Sequence, residues 1–252
     1  RWQHLAGRVR EADTAFGKAL WNGAYGAAAN TARAEIASAE GRTTDALALL
    51  ERALVANASE PLALGLKTAL LRRSGRATEA REVVARALVA DPLDVRALHE
   101  QALLEADRSA LPGGAQTALD IAHDEARAGL LEEAVDILVR ALEAGPQPGH
   151  LPLLHYTLAW IEARRGEQAA ARSHRRLAAA AAPAYALPVR LEEIEVLEWA
   201  IREDPTDPRA PYYLGCLLYD KRRYQEAIIC WRRAARLDPA FPTVHRNLGM
   251  AE

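Results

Sequence analysis

The chain has 252 residues, half of them apolar and 6% aromatic, with 32 basic against 34 acidic side chains and a net charge of −2. A general nucleic-acid binder carries a basic surplus, which this chain lacks. No apolar run approaches a membrane span, and Cys216 and Cys230 alone make no disulfide framework.

Alanine, leucine, arginine and glutamate dominate, and these residues lose little side-chain entropy in a helix. Residues 1–22 read as helical, outside any register. Residues 27–60 then carry Ala34, Ala46, Leu50 and Ala53, and residues 61–94 carry Gly75, Ala80, Val84, Ala87 and Pro92. The period breaks next. Asp94 to Asp107 reads as one helix, and Leu111-Pro112-Gly113-Gly114 turns the chain into a unit at 115–148 with Ala122, Ala134, Leu138, Ala141 and Pro146. Residues 152–185 follow, with Leu158-Ala159, Ala171, Ala178 and Pro183. Pro188 to Glu203 reads as a single long helix. Residues 208–241 carry the fullest pattern: Leu214-Gly215, Tyr224, Ala227, Trp231, Ala234 and Pro239. Leu248-Gly249 repeats Leu214-Gly215 after 34 residues and opens a partial unit at 242–252.

The spacings have physical causes. A glycine inside a helix costs about 1 kcal/mol relative to alanine, so Gly215 needs a reason. The reason is close approach of the second helix, with Ala227 and Ala234 small on the other side. Asp207-Pro208 supplies a cap followed by a proline suited to a first helical turn.

The run from Leu214 to Pro239 resembles the tetratricopeptide repeat (TPR), whose period is 34 residues. Pro211 departs from it, standing where the family often has Trp. The resemblance implies an all-α fold, a right-handed α-α superhelix of TPR-like helical hairpins, irregular in the middle. It reads as a single solenoid over 1–252, with units near 27–60, 61–94, 115–148, 152–185, 208–241 and a partial 242–252. A narrower resemblance rests on Leu154-His155-Tyr156-Thr157-Leu158-Ala159, Arg190 to Leu197 and Arg209 to Tyr224. These runs look like the helical C-terminal part of large bacterial proteins with an N-terminal β-rich domain of unknown function. That resemblance implies a bacterial, carbohydrate-related setting and transfers no catalytic residue.

The seven histidines include no i, i+4 pair with a carboxylate, so no zinc-protease helix is present. His150 and His155 point to different faces. No phosphate loop and no nucleophile elbow occurs. No catalytic residue, metal ligand or cofactor is therefore assigned. Asp120, Asp124 and Glu125 form the acidic group of most interest, while Glu192, Glu193, Glu195 and Glu198 fit one exposed helix face. Arginine pairs such as Arg72/Arg73 sit among acids and read as solvated.

In a TPR hairpin stack the second, fifth, ninth, twelfth and thirteenth positions of each first helix face the groove. They are Arg209, Tyr212, Cys216, Tyr219 and Asp220 in the 208 unit. They include Tyr156, Trp160 and Arg164 in the 152 unit, and Gln116, His123 and Arg127 in the 115 unit. Arg72, Arg73, Arg96 and His99 face it from the earlier helices. Tyr212, Tyr219, Arg209, Asp220, Tyr156, Trp160, His123 and Arg127 are the binding candidates. Tyrosine and tryptophan combine apolar area with a polar group, the composition of binding hot spots. Trp199 and Trp231 read as core. The fifth and ninth positions lack the Lys and Asn of a carboxylate clamp.

The leading function is a non-catalytic scaffold binding a protein or peptide through the concave groove, a domain of the same parent chain included. The alternative is an accessory part of a carbohydrate-active bacterial enzyme. No nucleic acid and no membrane is expected as partner. Self-association through the open end is the third expectation. Free thiols fit a cytoplasmic chain. A start at Arg1, with Met250 the only methionine, reads as an excerpt that could have lost a targeting segment.

Overall fold

The structure is a computed structural model that describes residues 8–107, 113–183 and 185–251. Among these residues it has fourteen α-helices and no strand. Contacts divide the chain into two compact units, residues 1–141 and 142–252.

In the first unit, α1 (Val9–Ala19) precedes the hairpin of α2 (Gly26–Ala39) and α3 (Thr43–Ala56). A second hairpin joins α4 (Pro61–Arg73) to α5 (Ala77–Ala90). The lone helix α6 (Val95–Leu104) follows, then the pair α7 (Gly114–Arg127) and α8 (Leu131–Glu143). The second unit holds the hairpin α9 (Leu151–Arg165) and α10 (Gln168–Ala180), then α11 (Glu192–Glu203). It ends with the hairpin α12 (Arg209–Asp220) and α13 (Tyr224–Leu237), and with α14 (Pro242–Ala251). The all-α, TPR-like hairpin fold read from the sequence is the fold observed.

Small residues set the spacing of the hairpins. Ala34, Ala46, Ala53 and Ala80 have no exposed surface, and Leu50 fills the space between them. In the 208–241 hairpin, a Cβ on Gly215 would lie 2.5 Å from the Trp231 ring and 3.1 Å from the Ala227 carbonyl oxygen. The indole reaches past that bare backbone and donates its N–H to the Tyr212 carbonyl at 3.2 Å. The helix-interior glycine is thus required by the hairpin's own tryptophan.

Aspartates serve two helix starts, the second of them the one the sequence suggests. Asp94 accepts the N–H groups of Arg96 and Ala97, which begins α6. Asp207 accepts the Arg209 N–H at 2.7 Å, which begins α12. Two expected helices are shorter. The one read over Asp94 to Asp107 ends at Leu104, ahead of Ala106 with its positive φ of 58°. Pro188 to Arg190 has no regular secondary structure and α11 begins at Glu192, where Glu193 turns back to accept the N–H groups of Val189 and Arg190, each at 2.8 Å. The first four N–H groups of a helix lack an intrahelical acceptor, and here the Glu193 carboxylate supplies one for two donors just ahead of α11. Glu193 is 1% exposed, so it leaves the exposed acidic face expected for α11. Trp231 is core, whereas Trp199 is half-buried. Of the expected turn at 111–114, only Gly113 and Gly114 lie among the described residues, both with positive φ.

Candidate functional site

The first unit reveals what its inner helix positions do. In α4 those positions are Leu62, Gly65, Ala69, Arg72 and Arg73. Leu62, Gly65 and Ala69 line a cavity of ≈ 20 Å³ together with Glu125 and Leu130 of the following pair. Arg73 donates to Glu133 of α8 at 2.8 Å. In α2 the inner residue Glu35 accepts both Arg127 Nε and a second guanidinium N–H, at 3.0 and 3.2 Å. At the far end of α2, a Cβ on Gly129 would lie 2.7 Å from the Ala39 Cα, and Gly129 also has a φ of 78°. The α7–α8 pair therefore lies against the inner faces of α2, α4 and α6.

Charge holds that arrangement together. Arg72 makes a two-pronged contact with Glu100, at 2.9 and 3.2 Å. Arg96 donates to Asp124, which also receives Arg127. Gly65 makes room for Arg96, whose Cδ would sit 1.9 Å from a Cβ there. Such pairs repay their desolvation only when the geometry is good and neighbouring polar groups are satisfied. Two members are less well served. Glu125 is 4% exposed and its Oε2 has no hydrogen-bond partner, while its Oε1 lies 3.9 Å from His99 Nε2. His99 is 1% exposed, and neither ring nitrogen is hydrogen-bonded. Burial, reinforced by the neighbouring Glu100, pushes the Glu125 carboxyl well above the usual carboxylate range. Burial, helped by Arg140, Arg72 and Arg96, pushes His99 down to about 4. The cavity has space for about one water, which needs only ~10–15 Å³ and polar partners.

Each residue expected in the groove can now be placed. His123 is buried on α7, and Arg127 pairs with Glu35 and Asp124. Arg72, read as solvated, is instead half-buried against Glu100, whereas Arg73 is exposed as read and pairs with Glu133. In the second unit Tyr156 has no exposed surface. Its hydroxyl donates to Asp207 Oδ2 at 2.6 Å and its ring meets Tyr213 edge-on. Burial is the main cause that raises the Tyr156 hydroxyl and the Asp207 carboxyl above their usual values. Trp160 is buried, with the Arg164 guanidinium 4.6 Å above its ring. Tyr212 is buried against Phe241, and the Arg209 guanidinium lies 3.9 Å over the same phenyl ring. Tyr219 differs from these: it is 38% exposed, with its ring 4.8 Å from Tyr224 and 5.2 Å from Trp231. Asp220 beside it is exposed. The structure thus gathers Tyr219 and Asp220 at one surface and turns Tyr156, Trp160 and Tyr212 into packing.

Sequence reasoning missed Glu35 and Glu100. Glu35 occupies the ninth position of its unit, a groove position, and that spacing could have found it. Neither Cys216 nor Cys230 forms a disulfide, and burial raises both thiols, Cys230 to about 11. Among the described residues no helix is long and apolar enough to cross a membrane.

Residues 215–251 match the family described as TPR repeat. No curated protein matches the chain. Solved structures that resemble it include a tetratricopeptide repeat protein from Parabacteroides merdae, at 17% identity and a TM-score of 0.38, covering 99% of this chain and 80% of that one. A thermophilic TPR protein from Thermus thermophilus shows 21% identity and a TM-score of 0.27, over 88% of this chain and 97% of that one. YrrB, described as a TPR protein with an unusual peptide-binding site, shows 17% identity and a TM-score of 0.25, over 80% and 81%. The stretch from Gly215 to Ala251 is accordingly similar to the tetratricopeptide repeat, within a chain whose described residues fold as TPR-like helical hairpins.

Proposed function

We propose that the chain is a non-catalytic scaffold that holds a protein segment against the first-helix face of its second unit. The observation that carries this reading is Tyr219, a half-exposed aromatic fixed between the Tyr224 and Trp231 rings. A ring already held in place loses little entropy when a partner covers it, which suits an anchor residue. Asp220 and Lys221, ion-paired at 2.8 Å, add polar groups next to it, and Arg164 adds a positive charge on α9. The first unit offers support from within the same chain, where the equivalent face holds the α7–α8 helices. A segment of the same parent protein is one partner of this kind.

The test uses a photo-reactive residue in place of Tyr219, in the full chain and in its native host. Crosslinking to a discrete protein, or to another part of the parent chain, supports the reading. Tyr219→Ala with Asp220→Ala should then abolish capture while leaving helical circular dichroism unchanged. Capture that persists in that double variant removes Tyr219 from the site. Tyr212 is unsuited to the test, because its burial against Phe241 would confound binding with folding.

A further inference from the structure

Two histidines outside the groove meet across a helix hairpin. His155 is on α9 and His174 on α10, and their Nδ1 atoms lie 3.1 Å apart. The ring centroids are 5.3 Å apart, with 24° between the planes. Both side chains are half-buried, so the pair is held by the hairpin yet remains open to solvent. His155 and His174 are 19 residues apart, which hides them from any search for i, i+4 spacing on one helix.

From this geometry we propose that His155 and His174 form a two-imidazole site for a divalent transition metal of the zinc, copper or nickel class. Zinc–imidazole bonds are about 2.0–2.1 Å long, and two such bonds to nitrogens 3.1 Å apart enclose roughly 98°. That angle lies between square and tetrahedral coordination, the geometries these ions adopt. Imidazole is the common ligand for all three ions. Among the described residues no third His, Cys, Asp or Glu completes a three-donor set. Water fills the remaining positions, and the ion stays exchangeable.

Without the ion, the same separation suits one hydrogen bond, in which one Nδ1–H donates to the other Nδ1. Metal binding requires both Nδ1 lone pairs. The donor ring therefore moves its proton from Nδ1 to Nε2, and the pair releases no net proton. The bound ion then links α9 to α10.

Zn²⁺ titration of the full chain by calorimetry, with each variant, tests the site. The proposal expects one saturable Zn²⁺ per chain, lost in His155→Asn and in His174→Asn and retained in His245→Asn, which alters an exposed histidine of α14. Copper supplies a test on the unaltered chain. Cu²⁺ electron paramagnetic resonance should show coupling to two imidazole nitrogens. The proposal is overturned by absence of saturable Zn²⁺ binding, by binding that survives both single variants, or by a Cu²⁺ spectrum with fewer than two nitrogens. Any of those results leaves the pair as a hydrogen bond between helices.

Discussion

The two units solve one problem with different chemistry. Both must fill the inner face of their first helices. The first unit does it with charge, through Arg72–Glu100, Arg96–Asp124 and Arg127–Glu35. The second does it with rings, through Tyr156 on Tyr213 and Tyr212 on Phe241. Aromatic packing adds area and modest geometric preference, and it does not depend on protonation. Paired charges fix position through directed hydrogen bonds, yet each partner becomes a liability once the other is removed. The contrast predicts that the first unit is the more sensitive to charge, and the second to volume.

Arg127→Met should break this comparison most sharply. It removes the guanidinium that Glu35 and Asp124 both face, and breaking a buried pair in this way costs about 3–5 kcal/mol. Hydrogen exchange resolved by segment should show the loss in residues 8–107 and 113–141, with 142–251 little changed. Equal loss in both units would mean that the charges are not a property of the first unit alone.

Gly215→Leu is the counterpart in the second unit. The side chain meets the Trp231 indole, and overpacking of this kind costs about 1–3 kcal/mol. A lowered melting temperature with unchanged pH dependence is expected. A neutral result would mean that the α12–α13 hairpin can open around Trp231 without penalty.

Glu125→Gln sharpens the electrostatic side. The folded carboxyl titrates above its unfolded value, so its contribution is complete at low pH and is lost as pH rises through the folded pKa. Glutamine removes that dependence, changing the slope of stability against pH by at most about 1.4 kcal/mol per pH unit. His99 acts in the opposite sense. Its folded pKa of about 4 lies below the unfolded value, so stability falls as pH drops from 6.5 towards 4. Urea titrations across pH, for the wild type and Glu125→Gln, check both signs.

The smallest effect is expected from Tyr156→Phe, which keeps the ring and removes the bond to Asp207. A cost of about 1 kcal/mol fits one hydrogen bond. A much larger loss would assign Asp207 a greater share in starting α12 than its backbone contacts to Arg209 and Ala210 suggest.

The hairpins themselves were legible in the sequence, because their signals are local. Gly215, Ala227 and Trp231 lie on two helices joined by a tight turn, and their spacing declares the repeat. Asp94 and Asp207 declare helix starts for the same reason. The candidate site was less legible. Inner positions follow from counting, which singles out Tyr219, Arg127 and Arg72. Their exposure does not follow from counting, since it depends on what the chain lays over them. Nothing near Tyr156 in sequence announces Asp207, 51 residues on. Glu193 shows the limit at short range, where a buried carboxylate capping two backbone donors looked like one more solvated acid.

The Arg127–Glu35 contact joins residues 92 positions apart. In a linear repeat stack each unit touches only its neighbours, folding can start anywhere, and stability approaches a sum of local terms. This contact, with Gly129 against Ala39, ties the first hairpin of the unit to its last. The helices between them cannot fray without loosening both ends. Such long-range closure slows folding, because chain entropy is lost before the contact forms. The first unit should therefore fold as one cooperative body, and a truncation after α6 should not leave a smaller stable stack.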